Sequence, residues 1–255
     1  MDTKTTPPGS QLQAIRARIS DYDRRAAKYA PVSAALGDLY GFPDWRPFLP
    51  PLDELIDCIL SQSTNDRNRD RAFAALKANF PSWEAVMEAP LDQVIETIKP
   101  AGLANSKAPR IQQVLRKIDL ERGELSIDFL ADLDLESARQ WLMNLDGVGP
   151  KTAAIVLCFA FGRPAFPVDT HIHRVGQRIG FLPDGISADK AHPVMESMIP
   201  PEDHFAFHLN LIRLGREVCT SRRPFCERCP LTDHCDYYQQ NARTFIHPMT
   251  EPQTP

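Results

Sequence analysis

Four of the six cysteines in this sequence crowd into one short segment near its C-terminal end. Cys219, Cys226, Cys229 and Cys235 follow the spacing C-x6-C-x2-C-x5-C. Four thiolates this close along the chain can converge on one inorganic centre, either a tetrahedral zinc ion or a [4Fe-4S] cluster. Zinc ribbons more often carry two separated C-x-x-C pairs, so one pair flanked by single cysteines favours the iron–sulfur interpretation.

Five arginines surround these cysteines, and two interpretations of them remain open. A basic loop beside a metal centre could bind a phosphate backbone, or it could be a solvated charged surface. The residues are Arg213, Arg216, Arg222, Arg223 and Arg228. The other two cysteines, Cys58 and Cys158, lie in apolar runs and are expected in the core, since free cysteine behaves as a small buried hydrophobe.

A second segment with chemical potential is the glycine-containing stretch LDGVGPKT, residues 145–152. Gly147 and Gly149 permit a tight turn, and Pro150 suits the first turn of a following helix. Such a turn directs free backbone amides outward at a helix start, where a phosphate can bind. Glycine turns between helices also arise for steric reasons alone, so this pattern by itself leaves both interpretations open.

The third segment is PVDTHIHR, residues 167–174, in which Asp169 precedes a predicted helix. Aspartate and threonine are both common helix N-caps. Taken alone, the pattern therefore favours a structural cap over a functional carboxylate.

The rest of the chain must position these groups, and its composition is that of a globular protein. It has 255 residues, 43% hydrophobic and 24% charged, with a net charge of -4. This length suits one large domain or two ordinary ones. The sequence predicts no membrane-spanning helix and no signal peptide, so we expect a cytoplasmic protein. The charge argues against a basic coat protein but permits a locally positive groove.

Apolar residues recur at helical spacing throughout, as at Phe73, Leu76 and Phe80, and no segment sustains strand-like alternation. The sequence therefore predicts an all-α fold. Helices are expected at 11–30, 52–62, 66–80, 82–88, 91–98, 105–118, 135–144, 150–161, 170–180, 187–198 and 204–218. The proline-rich stretch 41–51 is expected to be an irregular connector. Residues 1–10 and 239–255 are expected to be loose tails.

The three motifs, occurring in this order, closely resemble the endonuclease III family of DNA glycosylases, which belongs to the helix-hairpin-helix superfamily and carries an iron–sulfur loop. The segments ILSQSTND (59–66) and GLANSKA (102–108) also resemble that family, so the similarity spans roughly residues 50–238. The resemblance implies a two-lobed helical fold with a DNA cleft between the lobes. Its implied parts are N-terminal helices (11–48) packing with the cluster lobe, a helical barrel lobe (51–161) containing the helix-hairpin-helix (135–161), and a cluster lobe (162–238).

The resemblance also implies roles for individual residues. Lys151 occupies the position of the family's nucleophile, and Asp169 that of its essential carboxylate. Gln62 matches the residue that fills the gap left by an extruded nucleotide, and Leu103 matches a wedge that enters the base stack. Further DNA contacts are expected from Gly147, Gly149, His171, Arg222 and Arg223, and the [4Fe-4S] ligands would be Cys219, Cys226, Cys229 and Cys235.

The implied function is base excision repair of damaged, oxidised pyrimidines in double-stranded DNA, with β-elimination at the resulting abasic site by a monomeric bacterial enzyme associated with the nucleoid. Two alternatives remain open: a thymine- or uracil-mismatch glycosylase, and a non-catalytic or weakly active damage-binding protein. Three residues depart from the family pattern, namely Ala104 beside the wedge, Met143 before the hairpin and Pro150 within it. They leave the catalytic rate and the base preference undetermined.

Overall fold

The computed structural model describes residues 8–246, and helices account for all regular structure in that range, which confirms the all-α prediction. The α-helices are α1 (Pro8–Arg18), α2 (Tyr22–Ala26), α3 (Tyr29–Tyr40), α4 (Pro51–Ser61), α5 (Asp66–Asn79), α6 (Trp83–Glu88), α7 (Leu91–Ile98), α8 (Ala104–Arg122), α9 (Leu135–Met143), α10 (Pro150–Ile155), α11 (Thr170–Ile179), α12 (Ala188–Met198), α13 (His204–Glu217) and α14 (Asp236–Ile246). A π-helical turn, Val156–Ala160, continues α10. Across residues 8–246, no helix combines the length and apolar character that a membrane crossing requires.

The chain divides into two compact units. Trp45–Pro167 forms one unit, with α4 to α10, while residues 8–44 and 168–246 together form the other. The family resemblance implies boundaries near residues 48–51 and 161–162. The irregular connector expected at 41–51 is present, because residues 41–50 contain no helix.

The core of the Trp45–Pro167 unit follows the helical spacing seen in the sequence. In α4, Leu55, Ile56, Ile59 and Leu60 are all fully buried, and Ala108, Ile111, Leu115 and Ile118 are buried along α8. Both sets recur at intervals of three and four, so one stripe of each helix packs inward. The loop that contains Gln62 and Ser63 follows α4, and the loop that contains Leu103 precedes α8.

In the other unit, α11 packs against α13. Gly215 in α13 permits a close approach, since a Cβ added there would lie 3.0 Å from the Cβ of His171. The guanidinium of Arg174 in α11 donates to the carbonyls of Gly215 (2.8 Å) and Cys219 (3.1 Å). These contacts fix the start of the cysteine-rich segment relative to α11.

Several predicted bounds differ from the structure: α8 extends to Arg122 instead of ending at residue 118, and the largest differences lie near the two ends of the described range. The single helix expected at 11–30 is broken at Asp21, whose backbone is left-handed (φ 54°), and α3 extends to Tyr40. A loose tail was expected from residue 239, but α14 runs from Asp236 to Ile246. The loose N-terminal tail expected at 1–10 is also wrong at residues 8–10, which begin α1. Residues 1–7 and 247–255 lie outside the described range. Asp236 pairs with Lys28 (2.8 Å) and Arg24 (3.0 Å), partners that local sequence spacing does not reveal.

Candidate active site and cysteine-rich loop

The helix-hairpin-helix consists of α9, a glycine-containing turn and α10. The amides of Leu145 and Val148 donate to the carbonyls of Leu142 and Leu145 (both 3.1 Å), and Gly147 adopts a left-handed conformation (φ 76°). Gly149 precedes α10 in an extended conformation, and Pro150 is the first helical residue. The turn therefore forms as the two glycines and the proline predict.

Lys151 is the second residue of α10, and its side chain is exposed. Its ammonium group has no hydrogen bond and no ion pair with any residue in the described range 8–246. A lysine fixed through its backbone at a helix start, with an amine not held by the protein, is available to an incoming electrophile.

Gln62 connects the end of α4 to this hairpin. Its amide nitrogen donates to the carbonyl of Gly147 (3.0 Å), and its amide oxygen accepts from Arg110 (2.8 Å). The side chain of Arg110 also packs over Gly147, where an added Cβ would lie 2.3 Å from Arg110 Cδ. The next residue, Ser63, is exposed and left-handed (φ 53°). The amide of Gln62 is thus engaged within the protein, and Ser63 forms the tip of the loop.

Leu103 lies at the corresponding tip before α8. It is also left-handed (φ 49°), a conformation that costs free energy for a residue with a Cβ, and its side chain is 61% exposed. An exposed leucine on a constrained tip is suited to insertion between stacked bases. Ala104, the departure beside it, is the first residue of α8.

Asp169 caps the N-terminus of α11. Its Oδ1 accepts a hydrogen bond from the amide of Ile172 (2.7 Å), so the capping role is present in the structure. His171, two residues on, has its Nδ1 3.1 Å from a guanidinium nitrogen of Arg174. Because arginine can only donate, Nδ1 accepts and the ring proton lies on Nε2. Lys151 belongs to the Trp45–Pro167 unit and Asp169 to the other unit.

The four clustered cysteines line a single small cavity together with Arg178, Phe225 and Tyr237. Burial raises the pKa of the Cys229 thiol to about 11, and it also raises the pKa of the Cys226 and Cys235 thiols, with the neighbouring cysteines adding to each increase. Arg178 donates to Cys219 Sγ (3.4 Å) and to the carbonyls of Thr220 (2.7 Å) and Ser221 (2.9 Å).

Within residues 8–246, no three His, Cys, Asp or Glu side chains lie close enough to hold one metal ion. The convergence of four sulfurs on one cavity nevertheless fits a cluster of several metal atoms, whose sulfur ligands are further apart than those of a single ion.

The five arginines around the cysteine-rich loop fall into two groups, and Arg216 belongs with those that interact within the protein. Arg213 is bonded to Glu217 (3.0 Å) and lies over the Tyr40 ring, and Arg228 lies over the Phe225 ring. Arg222 and Arg223 are exposed, and neither guanidinium pairs with any residue in the described part of the chain. The guanidinium groups of Arg222 and Arg223 are therefore available to an anionic partner.

The buried polar groups that sequence reasoning missed include Lys107 in α8 and Glu54 in α4, which are 1% and 6% exposed. A signal for Lys107 was present, because it lies four residues before Ile111 and seven before Val114 on the apolar stripe of α8. A lysine in such a stripe is either partnered or energetically costly.

A sequence profile described as "HhH-GPD superfamily base excision DNA repair protein" matches residues 56–201. An endonuclease III of Sulfolobus acidocaldarius is 33% identical over 74% of this chain and 83% of its own length. A putative DNA glycosylase of Arabidopsis thaliana is 36% identical over 67% of this chain, which spans only 58% of that longer protein. Among solved structures, a non-covalent endonuclease III–DNA complex has a TM-score of 0.72 and 28% identity, covering 85% of this chain and 98% of that one.

Proposed function

Because the chain belongs to the HhH-GPD superfamily of base excision DNA repair proteins, in its endonuclease III family, we propose that it removes oxidised pyrimidines from double-stranded DNA. It is a DNA glycosylase with abasic-site lyase activity. The observation that carries the assignment of the site is Lys151, an exposed and unpaired amine in the first turn after the hairpin. We further propose that it acts as a monomer in the cytoplasm.

In the proposed reaction, the neutral amine of Lys151 attacks C1′ of an extruded nucleotide. A C–N bond forms while the glycosidic bond breaks, and the damaged base leaves with the electron pair and takes up a proton. The attached amine then loses a proton, and its lone pair forms the C=N bond of a protonated Schiff base as the C1′–O4′ bond of the sugar breaks and O4′ takes up a proton. Removal of a C2′ proton then expels the 3′ phosphate, and water hydrolyses the Schiff base to restore the lysine.

The carboxylate of Asp169 is proposed to stabilise the positive charge that develops on the sugar and to accept the proton released by the amine. Its observed hydrogen bond to Ile172 holds the carboxylate at the start of α11. Capping and catalysis are therefore compatible roles for one side chain.

Leu103 and the tip formed by Gln62 and Ser63 are proposed to enter the base stack. The backbone around Gly147 and Gly149, together with His171, Arg222 and Arg223, is proposed to contact the DNA backbone. The exposure of Leu103 and of the two unpaired arginines supports these assignments.

We propose that Cys219, Cys226, Cys229 and Cys235 ligate a [4Fe-4S] cluster, as the shared cavity and the all-sulfur donor set suggest. When bound, such a cluster contributes folding free energy to the segment that carries Arg222 and Arg223. The chain's own contribution is Arg174 and Arg178, which hold the backbone of this segment against α11.

Borohydride trapping on a duplex with one abasic site tests the catalytic assignment. We expect the unaltered protein to form a covalent adduct and Lys151→Gln to form none while binding the duplex within a few fold. We expect Asp169→Asn to slow trapping about a hundredfold, equivalent to roughly 2.7 kcal/mol in the barrier, with little change in melting temperature, since asparagine also caps helices.

Asp134→Asn is the matched control, because Asp134 caps α9 through a 2.9 Å bond from Ser137 and has no proposed catalytic role. Trapping by Lys151→Gln at the rate of the unaltered protein would contradict the assignment. A panel of duplexes, each with one oxidised pyrimidine, uracil mismatch or thymine mismatch, identifies the excised base, and exclusive excision of mismatched thymine or uracil would overturn the proposed substrate.

A further inference from the structure

Lys107 is a buried lysine that pairs with no acidic side chain of residues 8–246. Its side chain is 1% exposed, and its ammonium donates to two backbone carbonyls, those of Leu60 (2.7 Å) and Ala101 (2.9 Å). Burial lowers the pKa of this ammonium because the charge is removed from water. Simple packing does not require such a group, since methionine fills a similar volume without a desolvation cost.

The two carbonyls occupy equivalent places in the fold. Leu60 lies in the last turn of α4 and Ala101 ends the 3-10 turn Lys99–Ala101, so both carbonyls face the end of a helical segment. Three residues after Leu60 comes Ser63, and two residues after Ala101 comes Leu103. Each is exposed, and each has a left-handed backbone that turns the chain into the next helix.

Lys107 also has a backbone link to one of these tips, because its amide donates to the carbonyl of Leu103 (3.0 Å). The backbone amide of Lys107 thus holds the Leu103 tip at the start of α8. The ammonium of the same residue links this tip to the end of α4, from which the Ser63 tip continues. The Gln62 side chain, bonded to Gly147 and Arg110, ties the same tip to the hairpin.

We propose that Lys107 is a positioning residue that fixes the separation of the Ser63 and Leu103 tips, so that both enter the duplex together when a nucleotide is extruded. The proposal rests on the proposed function, because it takes these tips as the elements that open the stack. Without the ammonium, two buried carbonyls lose their partner and the two tips lose their common anchor. Lys107 itself does not touch DNA.

This role makes a prediction that a purely structural role does not. An abasic site in single-stranded DNA has no stack to open, so Lys151 can react with it without the two tips. An abasic site in a duplex requires them. The ratio of the trapping rates on duplex and single-stranded substrates therefore reports on the tips, independently of how much active protein is present.

The experiment compares Lys107→Met with Gln112→Met. Gln112 is a matched control on the same helix, 3% exposed, whose amide nitrogen donates to the carbonyls of Val86 (3.0 Å) and Ala89 (2.8 Å), away from both tips. We expect both variants to melt at lower temperature, but only Lys107→Met to lower the duplex to single-strand ratio, by at least tenfold. The fluorescence of 2-aminopurine opposite the abasic site, which rises as the stack opens, should be reduced in the same variant.

Lys107→Gln, which retains a donor for one carbonyl, should give an intermediate ratio and serves if Lys107→Met does not fold. An unchanged ratio in the folded Lys107 variants, or an equal fall in Gln112→Met, would overturn the positioning role. Failure of the unaltered protein to form an adduct with either substrate would instead overturn the proposed function, so the two failures are distinguishable.

Discussion

At the scale of single residues, two carboxyl groups in α4, the buried Glu54 and the partly buried Asp57, couple the stability of the protein to pH. Burial raises the pKa of Glu54 to about 7, and the negative charge of Asp57 adds to the increase. Burial also raises the pKa of Asp57, to about 6, although Arg69, 3.4 Å away, opposes the change. Both groups therefore bind protons more tightly in the folded state than in the unfolded chain.

The sign of the resulting pH dependence follows from this difference. Between the unfolded value, near 4.5, and about 7, folded Glu54 holds a proton that the unfolded chain has lost, so stability falls as pH rises through this window. Glu54→Gln is neutral at every pH and should be more stable than the unaltered protein at pH 8, by on the order of 2 kcal/mol, and similar at pH 5. Chemical denaturation at the two pH values measures the difference.

Glu124→Gln is the control for Glu54, because it removes an exposed carboxylate and should leave the pH profile unchanged. A Glu54→Gln profile parallel to that of the unaltered protein would show that Glu54 ionises alike in the folded and the unfolded state.

The sequence analysis did not identify Glu54 or Lys107, and the physical reason is the same for both residues. Each side chain becomes buried only when helices pack, as where Lys107 of α8 meets Leu60 of α4. Lys151 and Asp169, by contrast, lie in short motifs whose resemblance to a known family is visible in the sequence itself.

At the scale of elements, helices with a strong apolar stripe were predictable and those held by distant polar contacts were not. The bounds of α7 at Leu91–Ile98 agree with the sequence, because local periodicity determines them. The first helix broke at Asp21 and α14 formed beyond Cys235 because contacts such as Asp236 to Lys28 act across the chain. The turn at Gly147 was predictable, but the engagement of Gln62 with it was not, since these residues are far apart in sequence.

The cysteine-rich loop is the element whose stability we expect to depend on a bound group. Cys226→Ser should lower the iron content, remove the visible absorption of the cluster and lower the melting temperature, because ligand thiolates contribute folding free energy through the metal centre. Cys158→Ser is the control, since it also alters a buried cysteine but one outside this loop. It should retain the full iron content even where its melting temperature falls. Bound zinc in place of iron, or an iron content unaffected by Cys226→Ser, would contradict the cluster assignment.

At the scale of the whole molecule, the net charge of -4 gives little indication of a polyanionic partner. What matters for such a partner is where unpaired cations lie on the surface. Arg16 and Arg213 are neutralised by Asp23 and Glu217, whereas Arg222 and Arg223 lie side by side with no ion pair in the part of the chain that the structure describes. Local positive charge can thus persist on an acidic protein.

The salt dependence of DNA affinity measures how many of these cations contact phosphates. Each contact releases condensed counterions, so the logarithm of the affinity should fall with the logarithm of salt concentration, with a slope of about 0.9 per contact. The double variant Arg222→Gln, Arg223→Gln should therefore bind more weakly at low salt and show a slope shallower by about 1–2. Arg16→Gln removes a cation already paired 2.7 Å from Asp23 and should leave the slope unchanged. If the double variant keeps the slope of the unaltered protein in a fluorescence-anisotropy titration, the two arginines do not contact phosphates, and the electrostatic part of binding must come from other cations.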